Sequence, residues 1–149
     1  VSLAISLHAP DDDLRDEIVP INKKYPLGTL LGACKDYLKA FSTKKTITME
    51  YILIDGVNDS INHAKKLTTL LSNISCKVNL IPFNNFSGST YKRPSRNKMN
   101  TFKKFLMDKG FIATLRITRG DSVAAACGQL VGVLSNPIKG KKLINHRSI

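Results

Sequence analysis

The residue best suited to chemistry is Cys127, which lies in the small-residue segment Ala124 to Gly128. Small neighbours leave room for a reactant to approach the sulfur. Arg116 and Arg119 precede the cysteine, and nearby positive charge favours the nucleophilic thiolate. A cysteine among small apolar residues is also an ordinary core residue. The sequence alone therefore leaves two interpretations open, a reactive thiol and a buried structural one.

Two further candidates are polar side chains that follow apolar, strand-like runs. His8 ends the first run of the chain, and its imidazole could transfer a proton or contact a cofactor. Asn84 follows the run Lys77 to Phe83, and its amide could bind an adenine edge or a ribose hydroxyl. The common alternatives are a histidine that is hydrogen-bonded at a strand end and an asparagine that forms a turn.

Several other kinds of site have no support in the sequence. The three cysteines, at positions 34, 76 and 127, are odd in number and widely spaced, which fits neither a disulfide framework nor a zinc ribbon. His63 and His146 have no cysteine or carboxylate at metal-ligand spacing nearby, so no metal site is predicted. Glycine-rich phosphate loops and the GxSxG nucleophile motif are also missing.

Length and composition indicate one folded domain. The chain has 149 residues, of which 42% are hydrophobic and 23% charged, enough to form a core and to exclude wholesale disorder. No run approaches the roughly 18 to 20 apolar residues of a membrane span, and no secretory signal opens the chain. We therefore expect a cytoplasmic protein without a membrane partner. Val1 opens directly into a strand-like run with no initiator Met, so we also expect a fragment.

Positive charge is concentrated in the second part of the chain. The whole chain carries a formal net charge of +12, but residues 1 to 60 sum to −2 and residues 61 to 149 to +14. Such a field attracts polyanions, and we expect RNA or DNA first and an anionic membrane second. A lysine-rich solvated surface is the alternative.

Apolar spacing predicts alternating strands and helices. An order of this kind means a parallel sheet with right-handed crossover helices, in an α/β fold. Four strands are too few for a closed barrel, so the sheet is part of a barrel or of a doubly wound sheet, with ligands at the carboxyl ends of the strands. The predicted strands cover residues 1–8, 46–54, 77–83 and 111–118. The predicted helices cover 11–19, 27–41, 60–71 and about 96–110. An Ala-rich segment with weaker helical propensity follows over 122–134, and a basic tail covers 136–149.

A series of short blocks in this sequence resembles a known family. The blocks are Ser6-Leu7-His8-Ala9-Pro10, Leu14-Arg15-Asp16, Ile18-Val19-Pro20-Ile21-Asn22-Lys23, Glu50-Tyr51, Asp55-Gly56-Val57-Asn58-Asp59, Val78-Asn79-Leu80-Ile81-Pro82-Phe83-Asn84, Arg93-Pro94-Ser95, Arg119-Gly120-Asp121 and Ala125-Ala126-Cys127-Gly128-Gln129-Leu130. In this order they resemble the carboxyl-terminal half of the RlmN/Cfr family of radical S-adenosylmethionine (radical SAM) RNA methyltransferases, over residues 1 to about 131. Ile81-Pro82-Phe83-Asn84 and Thr118-Arg119-Gly120-Asp121 look more like the RlmN branch than the Cfr branch.

The resemblance implies a fold and an activity. The fold is part of a radical SAM partial (β/α) barrel, formed here by residues 1–135. The activity is methylation at C2 of adenine in 23S ribosomal RNA and, in the RlmN branch, in tRNA. By motif position, Ser6, Leu7, His8 and Asn84 match SAM-contacting residues. Cys127 matches the cysteine that takes a methyl group from one SAM molecule. In the family, a second SAM molecule is then cleaved at a [4Fe-4S] cluster and supplies the radical that activates this methyl group.

The sequence also departs from the family. The CxxxCxxC cluster motif, the resolving cysteine and the amino-terminal RNA-binding region are not in this chain, and Cys34 and Cys76 cannot replace three closely spaced cluster ligands. Ser122, Val123 and Ala124 replace positions where the family carries two carboxylates. We therefore expect this chain alone, without the amino-terminal part of the same protein, to be catalytically inactive. The alternative is an RNA-binding module that kept the fold without the cluster or the reaction.

Overall fold

Strands and helices alternate along the chain, as the sequence predicts. The computed structural model describes residues 3–41, 46–85 and 88–117. The elements in chain order are β1 (Leu3–Ser6), α1 (Asp12–Ile18), a short 3₁₀ helix (Pro20–Lys23), α2 (Leu27–Ala40), β2 (Ile47–Leu53), α3 (Ile61–Leu70), β3 (Cys76–Pro82), α4 (Arg96–Asp108) and β4 (Ile112–Leu115). The Ala-rich segment and the basic tail lie outside the described residues.

The four strands form one parallel sheet in the order β1-β2-β3-β4. The order of strands in a doubly wound sheet reverses at a switch point, whereas strands of a barrel follow one another in sequence. The observed order therefore decides between the two architectures left open by the sequence, in favour of part of a barrel.

Local capping explains where three of the helices begin. Asp11 accepts a hydrogen bond from the amide of Leu14 at 2.8 Å, and Ser95 accepts one from the amide of Lys98 at 3.1 Å. Ser60 caps α3 in a reciprocal arrangement in which Nδ1 of His63 accepts from the Ser60 amide at 3.2 Å. Capping satisfies amide groups that have no partner in the first helical turn. His63 thus has a structural role.

The main core lies between one face of the sheet and the helices α2, α3 and α4. The β2 side chains on this face are Ile47, Met49, Tyr51 and Leu53, all fully buried. Cys34 of α2 belongs to the same core, which confirms the position predicted from its helical spacing. Among the described helices, none is both long and apolar enough to cross a bilayer.

The second face of the sheet is buried toward its carboxyl end and more open below it. The pattern of β2 predicts a strand buried on both faces, and Ile52 and Ile54 are buried there in a smaller cluster that includes Ile18 of α1. Nearer the amino end of the strand, Thr48 and Glu50 on the same face are only half buried, because α2, α3 and α4 pack against the opposite face. We call this second side the inner face, since in a barrel it is the side that turns inward.

Candidate functional site

The segment Ser6-Leu7-His8 leaves the carboxyl end of β1 with each of its carbonyl oxygens bound by a side chain. Arg15 of α1 donates from Nη2 to the carbonyl of Ser6 and from Nε to that of Leu7, both at 2.9 Å. Asn58 donates from Nδ2 to the carbonyl of His8, also at 2.9 Å. The three residues that match the family's cofactor contacts are therefore held rigidly by two buried side chains.

Arg15 is a buried cation that is neutralised through an intermediary. Its Nη1 donates to Oδ1 of Asn22 at 2.8 Å, and Nδ2 of Asn22 donates to carboxylate oxygens of Asp16 at 2.7 Å and Asp12 at 3.1 Å. Burial lowers the pKa of Arg15, while Asp12 and Asp16 act in the opposite direction. An arginine remains charged under such conditions, and the carboxylates of Asp12 and Asp16 offset its charge beneath the β1 end.

Asn58 joins the ends of β1 and β2. Besides His8, its Nδ2 donates to the carbonyl of Ile52 at 2.6 Å, and its Oδ1 accepts from the amide of Ile54 at 2.8 Å. The Tyr51 hydroxyl donates to the backbone carbonyl of Asn58 at 2.7 Å. Asn58 is fully buried, so its side chain replaces backbone pairing where the two strands diverge.

His8 is held in an unusual conformation and in one protonation state. Its φ of +61° lies in the left-handed region, which non-glycine residues rarely adopt and which is often found at functional sites. Nδ1 accepts a hydrogen bond from the amide of Ile52 at 2.9 Å. Burial, aided by the charge of Arg15, lowers the pKa of His8 to about 3. The ring is therefore neutral, with its proton on Nε2.

Asn84 lies just beyond the carboxyl end of β3 and is half buried. Its Oδ1 accepts from Nη1 of Arg93 at 3.0 Å, and Oδ1 of Asn85 accepts from the Arg93 amide at 3.0 Å. Because a guanidinium only donates, the Asn84 side chain must turn its oxygen to Arg93. Its Nδ2 forms no hydrogen bond with another described residue and can serve as a donor to a ligand.

These residues meet at one edge of the sheet. The β1 and β3 strands flank β2, so Ser6-Leu7-His8 and Asn84 are separated by about two strand spacings, roughly 10 Å. One small molecule can span that distance. Cys127 and Arg119-Gly120-Asp121 lie outside the described residues, so the structure does not test the position predicted for the cysteine.

A row of polar residues crosses the inner face just below this edge, and sequence reasoning missed it. Paired positions of neighbouring strands define the row, which we call the polar row: Ser6, Glu50, Asn79 and Thr114. The Thr114 hydroxyl donates to Oδ1 of Asn79 at 3.1 Å. Alternation of polar residues within each strand was a signal, but alignment of the row depends on the strand register, which the sequence does not reveal.

The described residues do not provide a metal centre. Within residues 3–41, 46–85 and 88–117, no three His, Cys, Asp or Glu side chains form a group that could hold an ion. Cys34 lies in the core, and Cys76 is the first residue of β3, at the opposite edge of the sheet. Burial raises the pKa of both thiols, to about 11 for Cys76, so both stay protonated.

A cavity of about 610 Å³ lies at the amino edge of the sheet. Its lining includes Thr68, Ser72, Cys76 and Lys109, near the ends of α3 and α4 and the start of β3. This is the edge opposite to His8 and Asn84. Since ligands of parallel α/β sheets bind at the carboxyl ends of the strands, the cavity is not part of the candidate site.

Two known proteins that are similar to this chain are methyltransferases. The dual-specificity RNA methyltransferase RlmN of Marinomonas sp. (strain MWYL1) is 57% identical over 132 residues, which cover 89% of this chain and 36% of that protein. A radical SAM methyltransferase from Sphaerobacter thermophilus, known from its crystal structure, is 48% identical with a TM-score of 0.80, over 87% of this chain and 37% of that one. No protein-family model matches the chain.

A more distant structural likeness concerns the fold alone. A domain of pyruvate-formate lyase-activating enzyme from Bacteroides vulgatus ATCC 8482 has a TM-score of 0.61 at 19% identity, over 77% of this chain and 66% of that domain. The predicted fold, an α/β structure with four parallel strands and crossover helices, is confirmed by the sheet and by these likenesses. The chain spans little more than a third of the length of the two methyltransferases it matches.

Proposed function

This chain belongs to the RlmN/Cfr family of radical SAM methyltransferases, and from this premise we propose that it is the carboxyl-terminal part of an enzyme that methylates C2 of adenine in 23S ribosomal RNA and in tRNA. The observation that carries the proposal is the meeting of Ser6-Leu7-His8 and Asn84 at one carboxyl edge of the sheet. By motif position both segments match residues with which the family contacts SAM, and both present hydrogen-bond donors at this edge.

The chemistry of this edge fits SAM. The adenosyl group carries acceptor and donor atoms that Nε2 of His8 and Nδ2 of Asn84 can bind. SAM is also a cation at its sulfonium, and a protonated histidine would repel it. The low pKa of His8 prevents that repulsion at neutral pH. Arg15 and Asn58 hold the backbone of the segment, so little conformational freedom is lost when the ligand binds.

In this proposal Cys127, outside the described residues, carries the methyl group on its sulfur before transfer to adenine. Bound SAM supplies the methyl group and the radical chemistry of the family. The described residues do not fit a [4Fe-4S] cluster, since Cys34 and Cys76 are protonated and lie away from the carboxyl edge. We therefore propose that the chain is inactive by itself.

RNA binding follows from the distribution of charge. Residues 61 to 149 carry a net charge of +14, and Lys92 and Arg96, just before and at the start of α4, are exposed. Such residues neutralise phosphates without reading sequence. Because C2 of a stacked adenine is out of reach of a protein side chain, the target base has to leave its stack. The expected location is the cytoplasm, where both RNA substrates occur.

The test uses the whole protein encoded by the gene, purified without oxygen and supplied with SAM, reductant and RNA. Mass spectrometry is expected to find a methyl group on Cys127 and methyladenine in the RNA. Cys127→Ala should abolish both products, whereas the control Cys76→Ala should keep both. Methylated RNA with Cys127 never modified would overturn the role of the cysteine. RNA binding with no methyl transfer would favour the alternative, an RNA-binding module that lost the reaction.

A further inference from the structure

The polar row differs from the interior of a barrel that is merely packed. Inward-facing positions of such barrels are filled mainly by bulky branched residues such as Val, Ile and Leu. Here the row is Ser6, Glu50, Asn79 and Thr114, one residue from each strand at the same level. Polar side chains on an inward face are typical of a barrel that encloses a ligand rather than a solid core.

Glu50 stands at the centre of this row with its carboxylate unpaired. Within the part of the chain that the structure describes, the side chain makes no hydrogen bond and no ion pair, although it is half buried. Lys77 lies on the same face, one row further from the carboxyl edge, and does not pair with it. A partly buried carboxylate without a partner is unfavourable for folding, so its presence on a central strand calls for a functional reason.

The backbone of Glu50 is tied to the candidate cofactor segment. The Glu50 carbonyl accepts hydrogen bonds from the amides of Leu7 at 2.9 Å and His8 at 3.3 Å. Ser6 is its paired residue on β1. A ligand held by Ser6-Leu7-His8 on the inner face therefore lies beside the carboxylate of Glu50.

The neighbours of Glu50 define what this carboxylate can bind. Oδ1 of Asn79 is occupied by the Thr114 hydroxyl, so Asn79 presents its Nδ2 hydrogens as donors. Glu50 thus supplies negative charge and acceptor atoms between the donors Ser6 and Asn79. The complementary ligand has positive charge, hydrogen-bond donors and some acceptors, which describes a cationic nucleoside.

We propose that Glu50 is a further binding residue of the site, whose carboxylate pairs with the positive charge and donor groups of SAM. This rests on the proposed function, because SAM is the ligand named there. Asn79, held by Thr114, assists by hydrogen bonding to the same molecule. In this arrangement His8, a neutral hydrogen-bond donor, contacts the uncharged part of the cofactor, and Glu50, an anion, contacts its cationic part.

Calorimetric titration of SAM into the whole protein tests this proposal. Glu50→Gln keeps the shape and removes the charge, and we expect SAM affinity to fall about tenfold, as for loss of a charge-assisted hydrogen bond. Glu50→Asp keeps the charge and should lose less. Asp36→Asn, a matched charge removal on the exposed side of α2, should bind SAM as the unmodified protein does. Thermal unfolding should show all three variants folded.

Two analogues locate the contact. S-adenosylhomocysteine lacks the sulfonium charge but keeps the ammonium group, and 5′-methylthioadenosine lacks both. A loss of affinity confined to SAM would assign Glu50 to the sulfonium, a loss for the first two ligands to the ammonium, and a loss for all three to the ribose or base. Equal SAM affinity of Glu50→Gln and unmodified protein would overturn the role of Glu50 and leave the proposed function intact. Failure of the unmodified protein to bind SAM would overturn both.

Discussion

Acid should destabilise this fold through a single buried imidazole. In the native state burial lowers the pKa of His8 to about 3, whereas the unfolded chain has the ordinary value of 6.5. Between these two values the unfolded state binds a proton that the native state does not. The contribution of His8 to the free energy of unfolding is therefore fully present above about pH 6.5 and is lost progressively as the pH falls toward 3.

The size of this effect follows from the two pKa values. Each unit of pH between 6.5 and about 3 removes about 1.4 kcal/mol from the free energy of unfolding. At pH 4.5 the loss is about 3 kcal/mol, and below pH 3 it reaches about 5 kcal/mol. Small domains have total stabilities of about 5 to 15 kcal/mol, so a loss of this size is easily measured.

Urea unfolding between pH 7 and 4 measures the effect, with His8→Asn as the comparison. Asparagine tolerates a positive φ, and its Oδ1 can accept the Ile52 amide in place of Nδ1, but it does not titrate. Both proteins share every other acidic group and also His63 and His146. The unmodified protein should lose about 3 kcal/mol more than the variant between pH 7 and 4.5.

Nuclear magnetic resonance of the His8 ring gives an independent check. The ring should remain the neutral Nε2–H tautomer below pH 5 and should titrate only near pH 3. Parallel stability curves for the two proteins, or a His8 titration near 6.5, would refute the reasoning, because either result means that the native imidazole is accessible to protons.

Further substitutions address the other contacts of the site and the core. Asn58→Ala removes hydrogen bonds to His8, Ile52 and Ile54 and should lower the free energy of unfolding by about 3 kcal/mol, as measured by urea titration. A loss of less than about 1 kcal/mol would contradict the proposed link between the ends of β1 and β2. Arg15→Lys lacks the planar guanidinium whose three nitrogens reach the Ser6 carbonyl, the Leu7 carbonyl and Asn22 together. SAM affinity measured by calorimetry should therefore fall severalfold, and an unchanged affinity would exclude a positioning role. Phe102→Ala opens a cavity beside Tyr51 and should lower the free energy of unfolding by about 3 to 5 kcal/mol, whereas the exposed control Met107→Ala should change it little.

Local patterns were sufficient to predict most of the fold. The caps Asp11 and Ser60 and the apolar spacing of residues 27–41 act within a few residues, so the sequence reveals them directly. The bounds of β2 and β3 each shifted by one residue, because pairing with neighbours decides where a strand ends. The choice between barrel and doubly wound sheet needed the strand order, which no local pattern contains.

The site was less accessible to sequence reasoning because it depends on contacts between distant residues. The bond between the Ile52 amide and His8 joins residues 44 positions apart, and that between Asn58 and the His8 carbonyl joins residues 50 positions apart. No local pattern places Arg15 of the short helix α1 beneath the β1 end, where it is buried. The roles of Ser6, Leu7 and Asn84 came from family resemblance, since their residue types alone are equally typical of strand ends and turns.

The most direct test of the account maps where SAM binds on the whole protein by ¹H–¹⁵N chemical shifts. The account predicts that SAM shifts the amides of Ser6, Leu7 and His8, the Nε2–H of His8 and the side-chain amide of Asn84. Shifts confined to the amino-edge cavity around Ser72 to Cys76, with the carboxyl edge unchanged, would contradict it.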